Sequence, residues 1–385
     1  MPSHAIEIRN LYKIFGPNGA DYVDDVRNGM SKAALNEQHG HVLGLKDINV
    51  TCEGGEITVV MGLSGSGKST LIRHINRLIE PTAGEVLYEG MNVTDMSAKE
   101  LQNFRRHKTA MVFQRFALLP HRTVIENAVY GLTIQGVAES EARERGQYWL
   151  DRVGLTGYED NYPNQLSGGM QQRVGLARAL ANDADILLMD EAYSALDPLI
   201  RMDMQTVLLD LQKELKKTVV FITHDLDEAL RLGDKIAILR DGEVIQQGSG
   251  QEIVLSPADA YISDFVREVN RGRVIMVDTI MSQTDGPSEV TVPSGLVLEE
   301  VAKRMVESNA KFASVGGKNG SALGRVALQD VISAMVTPID HTEVAPFDHD
   351  TEPPAEQRSV PGEALQKRPT VGDRERAEAM PGVTG

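Results

Sequence analysis

The sequence predicts an α/β fold with a parallel sheet, and three observations support that class. The apolar runs Ile186–Met189 and Val219–Thr223 are typical of buried parallel strands. A helix-like stretch, Leu199–Leu215, lies between them, and alternation of strands with helices indicates a layered α/β architecture. A further strand pattern, Glu56–Met61, runs directly into a glycine-rich loop. With 41% apolar residues among 385, the chain can form a substantial core.

Before that loop, the chain alternates apolar and polar residues over 5–15, which predicts a first strand. Residues 44–50 predict a second strand. Between the two strands lies an inserted segment, 16–42, for which we expect one short amphipathic helix. That expectation rests on five apolar residues at helical spacing: Val23, Val26, Met30, Ala33 and Ala34.

The loop itself carries the pattern G-x-x-x-x-G-K-[ST], between a predicted strand and a helix expected over 69–79. Such a loop turns backbone N–H groups around phosphate oxygens, and the helix N-terminus adds its positive dipole. Lys68 would reach the β- and γ-phosphates, and the Ser69 hydroxyl would bind Mg²⁺. The predicted nucleotide-binding residues are Gly62, Ser64, Gly65, Ser66, Gly67, Lys68, Ser69 and Thr70.

Two adjacent carboxylates follow the strand at 186–189. At the carboxyl end of a parallel strand, Asp190 is placed to hold Mg²⁺ through water. Glu191 can polarise the attacking water as a general base. A buried strand followed by solvated acids is the alternative interpretation, and the phosphate loop makes it the weaker one.

The remaining elements complete two units and a tail. Residues 99–185 are mixed and mostly helical, and residues 235–247 predict a hairpin with an Asp-Gly turn. We expect a nucleotide-binding domain over 1–270 and a small α+β module over 271–337. In the module we expect strands at 274–277 and 313–315 and helices at 298–309 and 328–335. Crowded prolines and charges predict a disordered tail over 338–385.

Composition excludes several classes of protein. A formal net charge of −16 argues against broad nucleic-acid binding, which needs basic surface. A single cysteine, Cys52, excludes an internal disulfide framework and is expected to be buried in a strand. No apolar run reaches the ~18 residues of a membrane-spanning helix, and the N-terminus lacks a signal-peptide pattern. We therefore expect membrane association only through a partner.

The segment Leu166–Gln171, with the sequence LSGGMQ, resembles the signature motif of ABC-family ATPases. The resemblance implies that Ser167, Gly168 and Gly169 open a helix and present N–H groups to the γ-phosphate held by a second copy. A homodimer is therefore implied. The alternative is an N-capped helix start without a ligand. The fold implied is a P-loop NTPase with a helical signature subdomain.

The other motifs of that family occur in the expected order. Gln114 resembles the Q-loop residue, which contacts Mg²⁺ and water, and Ser194–Asp197 resembles the D-loop. His224 resembles the switch histidine at the γ-phosphate, and Phe15 resembles the aromatic residue that stacks on adenine. The implied catalytic set is Gln114, Glu191, His224 and Lys68, and the implied Mg²⁺ set is Ser69, Gln114 and Asp190. Core packing is the alternative for Phe15.

Longer segments narrow the resemblance to the ATPases of osmolyte importers, for glycine betaine, proline, choline, carnitine or trimethylamine N-oxide. Those segments include VFQRFALLPHRTVIENA and LLMDEAYSALDPLIR. The implied partners are permease subunits and a solute-binding protein, at the cytoplasmic face of the plasma membrane. The run 116–120 would receive a permease helix, or is an ordinary apolar patch.

Residues 274–336 resemble a single CBS motif, which implies a regulatory, dimerising or vestigial module. Two other function classes compete with the importer ATPase. A soluble ABC ATPase of DNA repair or the ribosome is disfavoured because coiled-coil, zinc or duplicated segments are not visible. A non-catalytic module is disfavoured because Lys68 and Glu191 are both present. An importer of another solute class stays open.

Overall fold

A computed structural model describes residues 6–114, 116–282, 286–317 and 321–336, all within one compact unit. The predicted tail, 338–385, lies outside the described residues. The predicted boundary at residue 270 stays a prediction.

The strands of the described residues fall into three sheets. In chain order they are β1 (Ile6–Phe15), β2 (Val42–Cys52), β3 (Ile57–Met61), β4 (Ala83–Tyr88), β5 (Met91–Asn92), β6 (Thr109–Phe113), β7 (Ile186–Asp190), β8 (Thr218–Thr223), β9 (Lys235–Arg240), β10 (Glu243–Gly248), β11 (Val290–Pro293), β12 (Phe312–Gly316) and β13 (Ala322–Ala327).

The α-helices surround those sheets. In chain order they are α1 (Val23–Arg27), α2 (Lys32–His39), α3 (Lys68–Ile75), α4 (Ala98–His107), α5 (Val124–Ala128), α6 (Tyr130–Gln135), α7 (Glu139–Arg152), α8 (Gly168–Ala181), α9 (Pro198–Leu215), α10 (Leu226–Leu232), α11 (Gly250–Leu255), α12 (Ala260–Val266), α13 (Val277–Ile280), α14 (Leu298–Glu307) and α15 (Leu328–Val336).

The central sheet has the strand order β10-β9-β3-β8-β7-β6. Its strands β9, β3, β8, β7 and β6 pair in parallel, and β10 is an antiparallel edge strand. The carboxyl ends of the parallel strands therefore meet at one edge, where ligands of open α/β sheets bind. The prediction of a parallel α/β sheet is confirmed.

Both faces of that sheet are covered. Val59 and Met61 of β3 pack into one core with helices α5 and α8–α12, while Val60 packs into the other core. The second core includes an antiparallel sheet of order β2-β1-β4-β5. Strands β3, β7 and β8 are buried along their whole length, so their sequences are mostly apolar and do not alternate between apolar and polar residues.

The inserted segment 16–42 contains two helices, so the prediction of a single helix is wrong. A 3₁₀ turn leads into α1, and α2 follows after Gly29, which has φ +104°. Backbone in that left-handed region cannot continue an α-helix. Val23, Val26 and Leu35 are buried while Ala33 is exposed, because α2 starts a new helical phase.

Two further predictions near the sheet have different outcomes. Helix α3 ends at Ile75 and not at residue 79, since Arg77 has φ +53°. The hairpin between β9 and β10 is confirmed. Its two turn residues, Asp241 and Gly242, both have positive φ, as a type I′ turn requires.

Residues 275–335 form a separate small core beneath a sheet of order β11-β12-β13. Strand β11 is parallel to β12, and β13 is antiparallel to it. The predicted strand over 274–277 is wrong: Met276 makes only an isolated bridge, and Val277 starts α13. Strand β13 was not predicted, because much of it is exposed and it contains Gly324.

Candidate active site

The glycine-rich loop connects β3 to α3, and its shape requires glycine. Gly62 has φ +148°, and a Cβ added there would lie 2.1 Å from the Leu239 carbonyl oxygen. Gly67 has φ +104°, and its Cβ would lie 2.8 Å from the Gly44 carbonyl oxygen. Two neighbouring strands therefore press against this loop, which any side chain at these two positions would displace.

Lys68 begins α3 and is buried within the loop. Its Nζ donates to the carbonyl oxygens of Gly62 (2.8 Å) and Leu63 (3.0 Å), and lies 3.7 Å from Glu191 Oε1. Burial lowers the pKa of Lys68, and the nearby Glu191 carboxylate opposes that shift. The buried Ser66 hydroxyl oxygen has no hydrogen-bond partner among the described residues. A cation and an unpaired hydroxyl inside a glycine cradle fit a phosphate group.

Two of the three residues predicted to hold Mg²⁺, Ser69 and Asp190, are joined directly. Ser69 Oγ donates to Asp190 Oδ1 over 2.8 Å, and Arg73 donates to Asp190 Oδ2 over 3.2 Å. Asp190 is buried at the end of β7. A hydroxyl and a carboxylate oxygen suit Mg²⁺, which takes one or two protein ligands beside phosphate and water. The donor set therefore fits the metal.

Glu191 is where the other predicted residues converge. Its Oε2 accepts from Gln114 Nε2 at 3.2 Å and lies 3.5 Å from His224 Nδ1. The residue has φ +46°, and its backbone N–H donates to the Ile222 carbonyl oxygen over 3.1 Å. This unusual backbone turns the carboxylate away from β7 and toward the loop, since Lys68 lies on its other oxygen.

The ends of three strands supply this group. Gln114 follows β6, Glu191 follows β7 and His224 follows β8, and these strands are neighbours in the order β8-β7-β6. The His224 side chain is 55% exposed, so it can reach a ligand above the sheet edge.

Sequence reasoning missed two contributors. Arg73 lies one helical turn after Ser69, and this i, i+4 spacing on α3 was the available signal. Ser194 was noted only as part of a motif. Its hydroxyl accepts from Gln114 Nε2 at 3.2 Å and donates to the Glu191 carbonyl oxygen at 2.9 Å. Ser194 thus stabilises the segment that carries Glu191.

The signature residues lie apart from this group. Ser167 is the N-cap of α8, and its hydroxyl accepts from the Met170 N–H over 3.3 Å. Among the described side chains, no hydrogen bond or ion pair joins Ser167 to the loop. Gly169 allows α8 and α9 to pack closely, because a Cβ there would lie 2.6 Å from Ile200 Cγ2. Their contact with nucleotide stays a prediction.

Phe15 ends β1, and its side chain is not in the core. The residue is 39% exposed, and its ring lies over Gly44, where an added Cβ would be 2.6 Å from Phe15 Cε2. Lys13 Nζ lies 5.1 Å from the ring centroid. Partial exposure disfavours the core-packing interpretation. Its adenine contact is not tested by this geometry.

Known proteins resemble this chain in sequence and in fold. The family described as "ABC transporter" matches residues 45–194. The glycine betaine transport ATP-binding protein OpuAA of Bacillus subtilis is 51% identical over 280 residues, 73% of this chain and 67% of that protein. The glycine betaine/carnitine transport ATP-binding protein GbuA of Listeria monocytogenes is 46% identical over 347 residues, 88% and 85% of the two chains.

The chain belongs to the ATP-binding subunits of ABC transporters. The dimeric structure of the ABC transporter cassette MJ0796 agrees, with 35% identity and a TM-score of 0.55 over 64% of this chain and 98% of that one. As an ABC ATP-binding subunit, the chain carries the α/β P-loop fold predicted above. In the described ranges, none of the helices is both long and apolar enough to cross a membrane.

Proposed function

We propose that this subunit hydrolyses ATP to drive import of glycine betaine or a related osmolyte. The observation that carries the proposal is the convergence of Gln114, His224 and Lys68 on the Glu191 carboxylate, beside the Ser69–Asp190 pair. A carboxylate flanked by an amide, an imidazole and a lysine can orient and deprotonate water next to a phosphate.

Each residue has a distinct part in this proposal. The loop amides and Lys68 bind the phosphates, and the Ser66 hydroxyl gains a partner there. Ser69, Gln114 and Asp190 would hold Mg²⁺, which neutralises charge on the β- and γ-phosphates when bound. Glu191 takes a proton from the attacking water, while Gln114 and His224 orient that water and the γ-phosphate. Phe15 stacks on the adenine.

We propose that a second copy completes the site. Ser167, Gly168 and Gly169 begin α8 with the Ser167 and Gly168 positions exposed, so their N–H groups can face nucleotide on another subunit. MJ0796, whose structure is dimeric, provides the precedent. ATP binding would then close the dimer, and hydrolysis would reopen it.

The transport partners are inferred from relatives. OpuAA and GbuA are described as ATP-binding proteins of glycine betaine and glycine betaine/carnitine transport. We propose that this subunit docks on permease subunits at the cytoplasmic face of the plasma membrane, with a solute-binding protein outside. The specificity for the solute would reside in those partners, because the ATPase does not touch it. Proline, choline and trimethylamine N-oxide belong to the same candidate class.

For residues 271–337 we propose a single CBS-like module. Its element order β11-α14-β12-β13-α15 and its own core support a compact unit of that kind. Whether it regulates, dimerises or is vestigial is a separate matter from ATP hydrolysis.

The decisive experiment is uptake into vesicles that contain this subunit, its co-encoded permease and its binding protein, with ATP inside. Labelled betaine, carnitine, choline, proline and trimethylamine N-oxide are compared. We expect ATP-dependent uptake of at least one, abolished by Lys68→Ala. ATPase activity without uptake of any would overturn the osmolyte class and favour another solute or a soluble role.

A further inference from the structure

The inserted segment 16–42 begins and ends beside Phe15. Gly16 follows Phe15 directly, and the segment returns at Val42, which is the register partner of Phe15 in the β1–β2 pairing. Any movement of the two ends of the segment therefore acts on the backbone that carries the Phe15 ring.

His41 ties those two ends together. It is 5% exposed, and its Nε2 lies 2.7 Å from the Pro17 carbonyl oxygen while its Nδ1 lies 2.7 Å from the His39 carbonyl oxygen. Carbonyl oxygens can only accept, so the ring nitrogen that carries the hydrogen donates to its carbonyl oxygen. One imidazole thus closes the loop between the start and the end of the insertion.

The residue after Phe15, Gly16, lies directly against the imidazole ring of His41. Gly16 has φ +142°, and a Cβ added there would be 2.3 Å from His41 Cδ2. On another side, the Tyr22 ring packs against His41 with centroids 4.6 Å apart. The backbone at 16–17 is therefore held by contact at Gly16 as well as by the polar contact at Pro17.

Phe15 needs such support, because its own packing is limited. Its ring rests on Gly44, near Lys13, and is 39% exposed. Because side-chain rotamers depend on the backbone that carries them, the orientation of the backbone at 15–16 helps to set the direction of this partly exposed ring.

We propose that His41 is a positioning residue for nucleotide binding: by joining Pro17 and His39 it holds the Phe15 ring at the angle that stacks on the base. This rests on the proposed function, in which Phe15 stacks on adenine. His41 does not touch the nucleotide itself. Its effect belongs in the affinity for ATP and not in the chemical step.

The test uses steady-state ATP hydrolysis by the assembled transporter. His41→Phe keeps an aromatic ring against Tyr22 and Gly16 but removes both ring nitrogens. We expect the KM for ATP to rise about fivefold to tenfold, within the range of one base–aromatic stack, with kcat unchanged. The rise for CTP should be smaller, since a pyrimidine stacks less.

His39→Phe is the matched control. His39 lies on the same Tyr22 ring, with centroids 4.6 Å apart, but is exposed, and its ring makes no hydrogen bond to the described residues. We expect no change in KM. Thermal unfolding of each variant shows whether it is folded, and His41→Gln, which keeps one donor group, supplies an intermediate KM if His41→Phe unfolds.

A double-mutant cycle separates the possible failures. If His41 acts through Phe15, His41→Phe adds nothing to the KM of Phe15→Ala. An unchanged KM in His41→Phe, or an additive rise, would overturn the positioning role while leaving the proposed function intact. An unchanged KM in Phe15→Ala would overturn the stacking assignment and the positioning role together, without affecting the roles at Glu191.

Discussion

The Ser69 hydroxyl donates a 2.8 Å hydrogen bond to Asp190 Oδ1, which joins the start of α3 to the end of β7. Arg73 occupies the other oxygen of the same carboxylate at 3.2 Å. The carboxylate proposed to face Mg²⁺ is therefore oriented by two side chains of one helix, and its position is set before any metal contact.

Asp190→Asn should remove the gain in nucleotide affinity that Mg²⁺ provides. The amide keeps an oxygen that accepts from Ser69, but it has no charge for the metal or for Arg73. The measured quantity is the ratio of ATP affinities with Mg²⁺ and with EDTA, obtained by titration. We expect this ratio to be about tenfold smaller, or more, in the variant than in wild type. Asp183→Asn, an exposed carboxylate paired with Lys217, is the control. Equal Mg²⁺ dependence in Asp190→Asn and wild type would contradict the assignment.

Glu191→Gln should bind ATP but hydrolyse it about 10²- to 10⁴-fold more slowly, because the amide cannot take a proton from water. The amide still occupies the position between Gln114 and His224, so nucleotide affinity should be retained. Phosphate release and nucleotide binding are measured on the same sample. Asp210→Asn, on the exposed face of α9, should leave both unchanged. Near-wild-type hydrolysis by Glu191→Gln would place the general base elsewhere.

Gly62→Ala should destabilise the protein by more than backbone strain alone. The left-handed conformation costs about 1–2 kcal/mol for alanine, and the Leu239 carbonyl oxygen would lie 2.1 Å from the new Cβ. Gly29→Ala isolates the strain, because Gly29 also has positive φ but nothing lies within 4 Å of its Cβ position. Urea unfolding without nucleotide should show the larger loss for Gly62→Ala; equal losses would mean that the loop moves freely.

His74 should make the protein less stable as pH falls. Burial lowers the pKa of His74 to about 4, against about 6.5 for an unfolded histidine. The unfolded chain then binds a proton that the fold excludes, so this stability is complete above pH 6.5 and is lost toward pH 4. The full loss is about 3 kcal/mol. Unfolding free energies of wild type and His74→Gln should differ in slope over that window. Exposed His39→Gln should keep the wild-type slope.

Cys52 should report global unfolding. Burial in β2 raises the pKa of its thiol to about 12, so at pH 8 the folded protein carries very little of the reactive thiolate. A disulfide reagent should modify the folded protein only at the rate of unfolding, and should react at once in urea. Fast labelling of the folded protein would show that β2 opens locally.

Much of the fold was predictable because its strands are buried on both faces. Runs such as Ile186–Met189 carry no polar residue, and so short an apolar run beside helices is typical of a buried parallel strand. The errors fall where local pattern is weak. The insertion pattern predicts one helix, because its apolar spacing continues across Gly29. The pattern at β13 does not predict a strand, because its residues are mostly exposed.

The candidate site divides in the same way. The local sequence pattern was enough to identify Gly62–Ser69, Asp190 and Glu191. Phosphate binding uses consecutive backbone N–H groups, and the carboxylates proposed for Mg²⁺ and for the attacking water are adjacent residues at the end of one strand. The grouping of Gln114, Glu191 and His224 depends on the strand order β8-β7-β6, which brings Gln114 to Glu191 although they are 77 positions apart in the chain. The resemblance to ABC-family ATPases pointed to Gln114 and His224, but only the fold gives the distances between these side chains.

The sequence by itself determined the phosphate loop, the parallel strands and the adjacent carboxylates Asp190 and Glu191, since these depend on residues close together in the chain. Tertiary structure alone decided that Arg73 orients Asp190, that Ser194 supports Glu191 and that His41 closes the insertion beside Phe15. Each of those contacts depends on the direction of a side chain after packing, and hydrophobic periodicity carries no information on that direction.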